Sequence, residues 1–354
     1  MERVEKLRKK LLKEGINAYF ITKRENVRYI AGFTGSSGAV LITPEKNYFI
    51  TDFRYVEQAA KQCRGFIIEK HEDTIYSHVA ELLKKLKIDT LHFEGDALTF
   101  KDYREISEKA SGVNLVSLPE IVDELREIKD KDEVEVIKKA CAIADAAFNH
   151  LLKKLTPGMS EKEVAWELEK FMREAGAEDI AFETIVASGE RGALPHGVAS
   201  EKEIISGEMV TLDFGAKYQG YHSDITRTVA IGEPSEKMLE IYDVVLQAQE
   251  AALQAVRPGA LAVDVDRVAR DIIAKAGYAE YFGHGLGHGV GLNIHEGPRL
   301  SPKGKAVLQP GMVVTIEPGI YLPGSGGVRI EDTVLVTENG FEVLTRSPKN
   351  LIIL

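Results

Sequence analysis

The chain has 354 residues, which a soft prior of about 150 residues per domain reads as one large domain or two ordinary ones. Its 45 Lys and Arg against 55 Asp and Glu give a formal charge of −10, and 44% of its residues are apolar; this is a soluble globular composition without the basic excess that nucleic-acid binding draws on. Cys63 and Cys141 are its two cysteines, which excludes a disulfide framework or a CxxC metal knuckle and suits a reducing compartment.

The N-terminal MERVEKLRKKLLKEG sets Val4, Leu7, Leu11 and Leu12 at helical spacing among charges. It reads as an amphipathic surface helix, because a secretory signal needs an uninterrupted apolar stretch and a small-residue cleavage site. No segment approaches the ~20 apolar residues of a bilayer crossing, so no membrane partner is expected and the cytoplasm is the default location. Short β-rich runs at 17–22, 39–43 and 47–51, then 66–70 and 90–94, alternate with helical stretches at 54–63 and 75–87. That alternation predicts a mixed α/β domain over residues 1–125. From 126 the pattern changes: Val134, Ile137, Ala140, Cys141, Ala144 and Phe148 hold a helical period for several turns, as expected of a long half-buried helix. Helices are predicted near 131–155, 160–176, 235–256 and 263–276, and hairpins rich in Val, Ile and Thr at 210–231 and 313–336. Helices and antiparallel strands in separate blocks predict an α+β domain over 126–354.

Chemistry enters at the first hairpin. Asp213 and Asp224 are eleven residues apart, and folding about Tyr218 and Gln219 would set them opposite one another, Cβ atoms ~4.5–5.5 Å apart. Facing carboxylates repel unless a cation sits between them or one is protonated. Taken in isolation, the pair reads more readily as two solvated strand residues. The second hairpin changes that balance. Glu317 and Glu331 stand in runs of Val, Thr and Ile, with Arg329 on the face of Glu331, and a local contradiction of this kind marks function. Between the hairpins, glycines at 283, 285, 287, 289 and 291 exclude a helix at ~1 kcal/mol each, so this backbone must approach something closely. His284, His288 and His295 fall in the same stretch, three of the nine histidines in the chain, which favours a metal or acid/base role. His196, in ALPHGV, is a fourth candidate.

Several competing motifs are absent. HEGPR at 295–299 is not HExxH, because Arg299 holds the place of the second histidine. No nucleotide-binding glycine motif occurs, and GSSG at 35–38 is not the GxSxG elbow of a serine hydrolase. What remains is two Asp, two Glu and one His. Four carboxylates balance two divalent cations, and an oxygen-dominated set suits Mn²⁺, Co²⁺ or Fe²⁺. This predicts metal-assisted hydrolysis.

The motifs ALPHGVAS (193–200), TLDFG (211–215), SDITRT (223–228), GHGLGHGVGLNIHE (283–296), TIEPGIY (315–321) and GGVRIED (326–332) resemble those of the Xaa-Pro peptidases. These belong to the pita-bread metallopeptidase group, which includes aminopeptidase P, prolidase and, more distantly, methionine aminopeptidase. VRYIAGFTGSSG (27–38) and ITDFRYVEQA (50–59) extend the resemblance over the first domain and look more like aminopeptidase P than prolidase. The resemblance implies an α+β, creatinase/aminopeptidase-like pita-bread catalytic domain preceded by a smaller creatinase-like α/β domain. It implies that Asp213 binds one metal, His288 and Glu317 the other, and that Asp224 and Glu331 bridge them, with Glu317 also accepting a proton from the attacking water. It makes His196, His284 and His295 the binders of the substrate backbone and oxyanion, and Tyr321 and Arg329 supporting residues near the metals. The metals would be two Mn²⁺ ions, with Co²⁺, Zn²⁺ and Fe²⁺ as alternatives. The expected activity is that of an Xaa-Pro aminopeptidase on peptides with proline second; prolidase is the alternative, ahead of methionine aminopeptidase or a non-catalytic binding module. A homodimer is implied too, with the amino-terminal domain of one subunit closing part of the other's cleft.

Overall fold

The computed structural model describes residues 2–354 and divides between Arg126 and Glu127 into two compact units. In the first, α1 (Glu2–Lys13) buries Val4, Leu7 and Leu11 and leaves Leu12 exposed. β1 (Tyr19–Ile21), α2 (Arg24–Ala31), β2 (Ala39–Ile42), β3 (Asn47–Thr51), α3 (Val56–Gln62), β4 (Ile67–Lys70), α4 (Ile75–Leu86), β5 (Thr90–Phe93), α5 (Phe100–Lys109) and β6 (Asn114–Ser117) follow, then α6 (Ile121–Glu127). The strands form one mixed sheet in the order β4-β3-β2-β1-β5-β6. β1, β2 and β3 are buried along their whole length, which is why they read as continuous apolar runs rather than alternating ones. Reading the sequence missed α2, α5, α6 and β6. The three helices are short, and β6 is a half-exposed edge strand with little apolar pattern to detect.

The second unit opens with α7 (Lys131–Leu151) and α8 (Glu161–Glu174). Each starts at a capping box, Asp130 with Glu133 and Ser160 with Glu163, that satisfies the free N–H groups of the first turn. Their apolar faces cover a sheet of β8 (Ile185–Ser188), β9 (Glu208–Phe214) and β12 (Ile225–Ile231), and Phe148, Leu168, Leu212 and Ile225 meet in that core. A smaller sheet joins β7 (Asp179–Ile180), β10 (Ala216–Tyr218) and β11 (Tyr221–His222). Beyond α9 (Glu236–Ala255) and α10 (Ala262–Lys275) come β13 (Gly287–Gly289), β14 (Glu296–Leu300), β15 (Val313–Ile316), β16 (Gly319–Leu322), β17 (Gly326–Arg329), β18 (Asp332–Thr337) and β19 (Gly340–Val343). Ile241, Val245, Val265 and Ala269 of the two helices pack on Val314, Ile316, Val328 and Val334. The α+β arrangement is the expected one. No described helix is long and apolar enough to cross a membrane.

The first hairpin corrects one expectation. Its turn lies at Gln219 and Gly220, both with positive φ (46° and 79°), the geometry of a two-residue hairpin turn whose twist matches its strands. The predicted turn at Tyr218 and Gln219 is one residue early. Asp213 therefore pairs with Thr226, and Asp224 falls opposite Gly215 rather than opposite Asp213. The second hairpin keeps one register through β15/β18 and β16/β17, with Ile316 opposite Asp332 and Gly319 opposite Arg329. Glu317 and Glu331 thus face each other where the ladder is interrupted.

Candidate metal centre

Asp224, Glu317 and Glu331 all sit at breaks in the two hairpins, immediately outside regular pairing. At a break the backbone is released from the ladder, so the carboxylates can lean toward one another instead of alternating across a sheet. His288 occupies the middle of β13, between β14 and β15. A side chain on Gly287 would run into the Thr315 carbonyl, and one on Gly289 into that of Gly297. The alternating glycines are the close backbone approach anticipated from the sequence.

Asp224, His288 and Glu331 each offer a ligand atom within 4.8 Å of the others. His288 Nε2 lies 3.5 Å from Asp224 Oδ2 and 3.4 Å from Glu317 Oε1. Its Nδ1 is 3.0 Å from the Gly289 carbonyl, to which it can only donate, so Nε2 turns a lone pair to the carboxylates. Asp213 Oδ2 accepts from Arg329 Nη2 at 2.5 Å, Glu331 Oε2 from Thr226 Oγ1 at 2.7 Å, and Glu317 Oε1 from Thr315 Oγ1 at 3.1 Å. Asp213 Oδ1 and Glu331 Oε1 are buried with no hydrogen-bond partner. A buried carboxylate oxygen left in that state is costly.

The electrostatics agree with the geometry. Burial, then the charges of Glu331, Asp213 and Glu317, push Asp224 well above the usual carboxylate range. Burial, then Glu317 and Asp213, do the same to Glu331. Burial raises Glu317 to about 8 even though the Arg329 guanidinium opposes the shift. His288 is held down at about 4, mainly by burial, and so is neutral at pH 7. Without cations these groups cannot all ionise together. The orphaned oxygens of Asp213 and Glu331 and the neutral imidazole are the donors that hard divalent ions take, and the residues fit such ions.

Around this core, Arg329 Nη1 donates to Tyr321 Oη at 3.0 Å, leaving the hydroxyl hydrogen for His284 Nε2 at 2.7 Å. Burial lowers His284 to about 4 and raises Tyr321 to about 12, so both are neutral at pH 7. The His295 ring packs edge-on against His288, centroids 4.3 Å apart. His196 is carried by a loop whose Pro195 carbonyl accepts from Arg329 Nη1 at 3.2 Å. All ten residues singled out from the sequence line one cleft of about 640 Å³. Phe182, Ile294 and Arg299 line it too, and sequence reading passed them over. Arg299 was visible in HEGPR but served there only to exclude a zinc motif. Thr226 and Thr315, which steady Glu331 and Glu317, each lie two residues from a carboxylate of the site, and that same-face spacing could have flagged them.

Comparison with known proteins extends over both units. The model described as metallopeptidase family M24 matches residues 135–338, and the creatinase/prolidase N-terminal domain matches 3–128. The chain is 45% identical over 354 residues to an Xaa-Pro dipeptidase of Pyrococcus furiosus, with 99% of each chain covered. It superposes on an Xaa-Pro dipeptidase from Bacillus anthracis with a TM-score of 0.98 at 51% identity, over 100% of this chain and 99% of that one. On an X-Pro aminopeptidase from Thermotoga maritima the TM-score is 0.91 at 40% identity, over 99% and 100% of the two chains. The architecture is a pita-bread α+β unit preceded by a creatinase-like α/β unit.

Proposed function

We propose that this chain, which belongs to metallopeptidase family M24, hydrolyses the bond before proline in Xaa-Pro dipeptides. The family together with its Xaa-Pro dipeptidase relatives supports a metallopeptidase acting on Xaa-Pro bonds; the proposal concerns the length of its substrate. The observation that carries it is Arg299, a cleft-lining guanidinium with no carboxylate in ion-pair distance among the described residues. A dipeptide brings its own carboxylate to such a place, and a guanidinium matches it with two parallel hydrogen bonds. The names of the full-length relatives from Pyrococcus furiosus and Bacillus anthracis support the same reading. Cleavage of longer Xaa-Pro peptides is the second reading, favoured by the likeness to the Thermotoga maritima aminopeptidase.

In this reading Asp213, Asp224, His288, Glu317 and Glu331 hold two divalent ions, Mn²⁺ first, with Co²⁺, Zn²⁺ and Fe²⁺ as alternatives. When bound, such ions polarise the scissile carbonyl and make water a nucleophile at neutral pH. Glu317, edging the cleft beside His288, takes the proton from the attacking water and passes it to the departing proline nitrogen. His284 and His295 hydrogen-bond the substrate and its developing oxyanion from fixed positions. His196 holds the substrate backbone from the loop at the cleft wall. Arg329 keeps Asp213 and Tyr321 in place. Proline suits a shape-selective site because its amide has no N–H and its ring fixes φ. A homodimer belongs to the same proposal, and sedimentation equilibrium tests it.

The deciding experiment assays the purified, Mn²⁺-loaded protein on an Xaa-Pro dipeptide and on a longer Xaa-Pro-Yaa peptide. Cleavage of the dipeptide alone is expected. Efficient cleavage of the longer peptide moves the assignment to the aminopeptidase, and cleavage of neither removes both.

A further inference from the structure

We propose that Glu161, which does not line the cleft, is the positioning residue for the loop that presents His196. It is the first residue of α8 and is fully buried, at 0% exposure. Burying a carboxylate is costly unless donors surround it, and here its donors, Ser188, Arg191 and Ser200, all come from one stretch of chain. Oε1 accepts from the backbone N–H of Ser188 at 2.8 Å and from its hydroxyl at 2.9 Å. Oε2 accepts from the backbone N–H of Ser200 at 3.0 Å and from its hydroxyl at 2.7 Å, and from Arg191 Nη1. Ser188 ends β8 and Ser200 lies beyond His196, so one carboxylate closes both roots of the loop.

Arg191 extends the clamp by donating through Nη2 to the Val198 carbonyl at 2.8 Å. On the other side the loop is seated against β17, where Arg329 holds the Pro195 carbonyl and a side chain on Gly192 would crowd the backbone of Gly327. Pro195, His196 and Val198 thereby line the cleft. An acidic residue in the first turn of a helix is commonplace, serving the helix dipole from the surface. That explanation does not suffice here, because the Ser160 and Glu163 capping box already satisfies the helix start and Glu161 turns its carboxylate to the loop. The buried charge closes the loop and so lowers the entropy lost when His196 meets substrate.

The inference rests on the peptidase reading for what His196 does, and on the geometry alone for what Glu161 does. Its test is Glu161→Gln, which keeps the volume and removes the charge, read in two ways. Hydrogen exchange of amides 189–200 should speed up roughly tenfold or more, with β9 and β12 unchanged. On an Xaa-Pro dipeptide kcat/KM should fall roughly tenfold, with metal content as in the parent. In a His196→Ala background the same change should cost under about twofold, because the two residues act as one unit. Unchanged loop exchange overturns the proposal, as does an equal loss of kcat/KM with and without His196. Should Glu161→Gln fail to fold, Arg191→Met and Ser200→Ala, each removing one donor, are held to the same outcomes. A parent protein inactive on every Xaa-Pro peptide would remove the functional reading, and the exchange result would then decide the role of Glu161 by itself.

Discussion

His288 and Asp224 show how much of this site is settled one side chain at a time. The imidazole is neutral because burial disfavours its charge, and the Gly289 carbonyl fixes which nitrogen faces the carboxylates. Asp224 is almost fully buried between groups that repel it. Asp224→Ala should therefore lose both ions and all activity together. His295→Ala, which leaves the five proposed ligands intact, should keep its metals and turn over slowly. Metal analysis alongside kcat checks this pair, and equal metal loss in both would contradict the roles assigned. Arg299→Met should raise KM for an Xaa-Pro dipeptide about tenfold or more while leaving KM for the corresponding Xaa-Pro amide, which has no carboxylate, near its parental value. Equal effects on both substrates would leave the guanidinium without its proposed partner.

At the level of elements, the glycine-rich stretch behaves as two kinds of position. Gly287 is wedged against the backbone of β15, whereas a side chain on Gly283 would meet nothing within 4 Å. Gly287→Ala must push β13 off β15 and should cost about 1–3 kcal/mol or more, as overpacking does. Gly283→Ala should stay within about 0.5 kcal/mol of the parent. Thermal unfolding of the two variants separates them. The sequence already showed that the stretch was not helical and that it carried a histidine cluster. It did not show which glycine was indispensable, because that depends on which strand lies across it. The first hairpin carries a similar lesson. Its two strands and both carboxylates were legible, yet their register depended on Gln219 and Gly220 taking positive φ at the turn. Asp213 and Asp224 converge as neighbours around a ladder break rather than as a directly opposed pair.

On the scale of the whole molecule, the two units should respond to different variables. Removing the ions leaves four carboxylates facing one another in the second unit, so a chelator should abolish activity and lower Tm, and added Mn²⁺ should restore activity to saturation and raise Tm with the logarithm of its concentration. The first unit contains a carboxylate that answers to pH instead. Glu94 is buried and accepts from the backbone N–H groups of Thr22 and Lys23 and from Asn26, yet burial prevails over these donors and raises it to about 7. A carboxyl raised in the folded state contributes its stability fully below its unfolded value, and that contribution is lost as pH rises through about 7. Between roughly pH 5 and pH 8 the Tm difference between Glu94→Gln and the parent should shift in favour of the variant. A pH-independent difference would show that Glu94 is ionised throughout in the fold.

Residue types and spacing alone determined the carboxylate and histidine inventory, the two hairpins, the four long helices of the second unit and the alternating character of the first. These are written in local periodicity and in residues out of place in their strands, and such signals survive without a partner. Only the tertiary structure decided what met what: that Glu317 faces Glu331 across an interrupted ladder, that Arg329 ties Asp213 to the loop of His196, and that a carboxylate at the root of α8 holds that loop. Each of these joins positions more than ten residues apart in the chain, through burial and donor counting that no local pattern encodes.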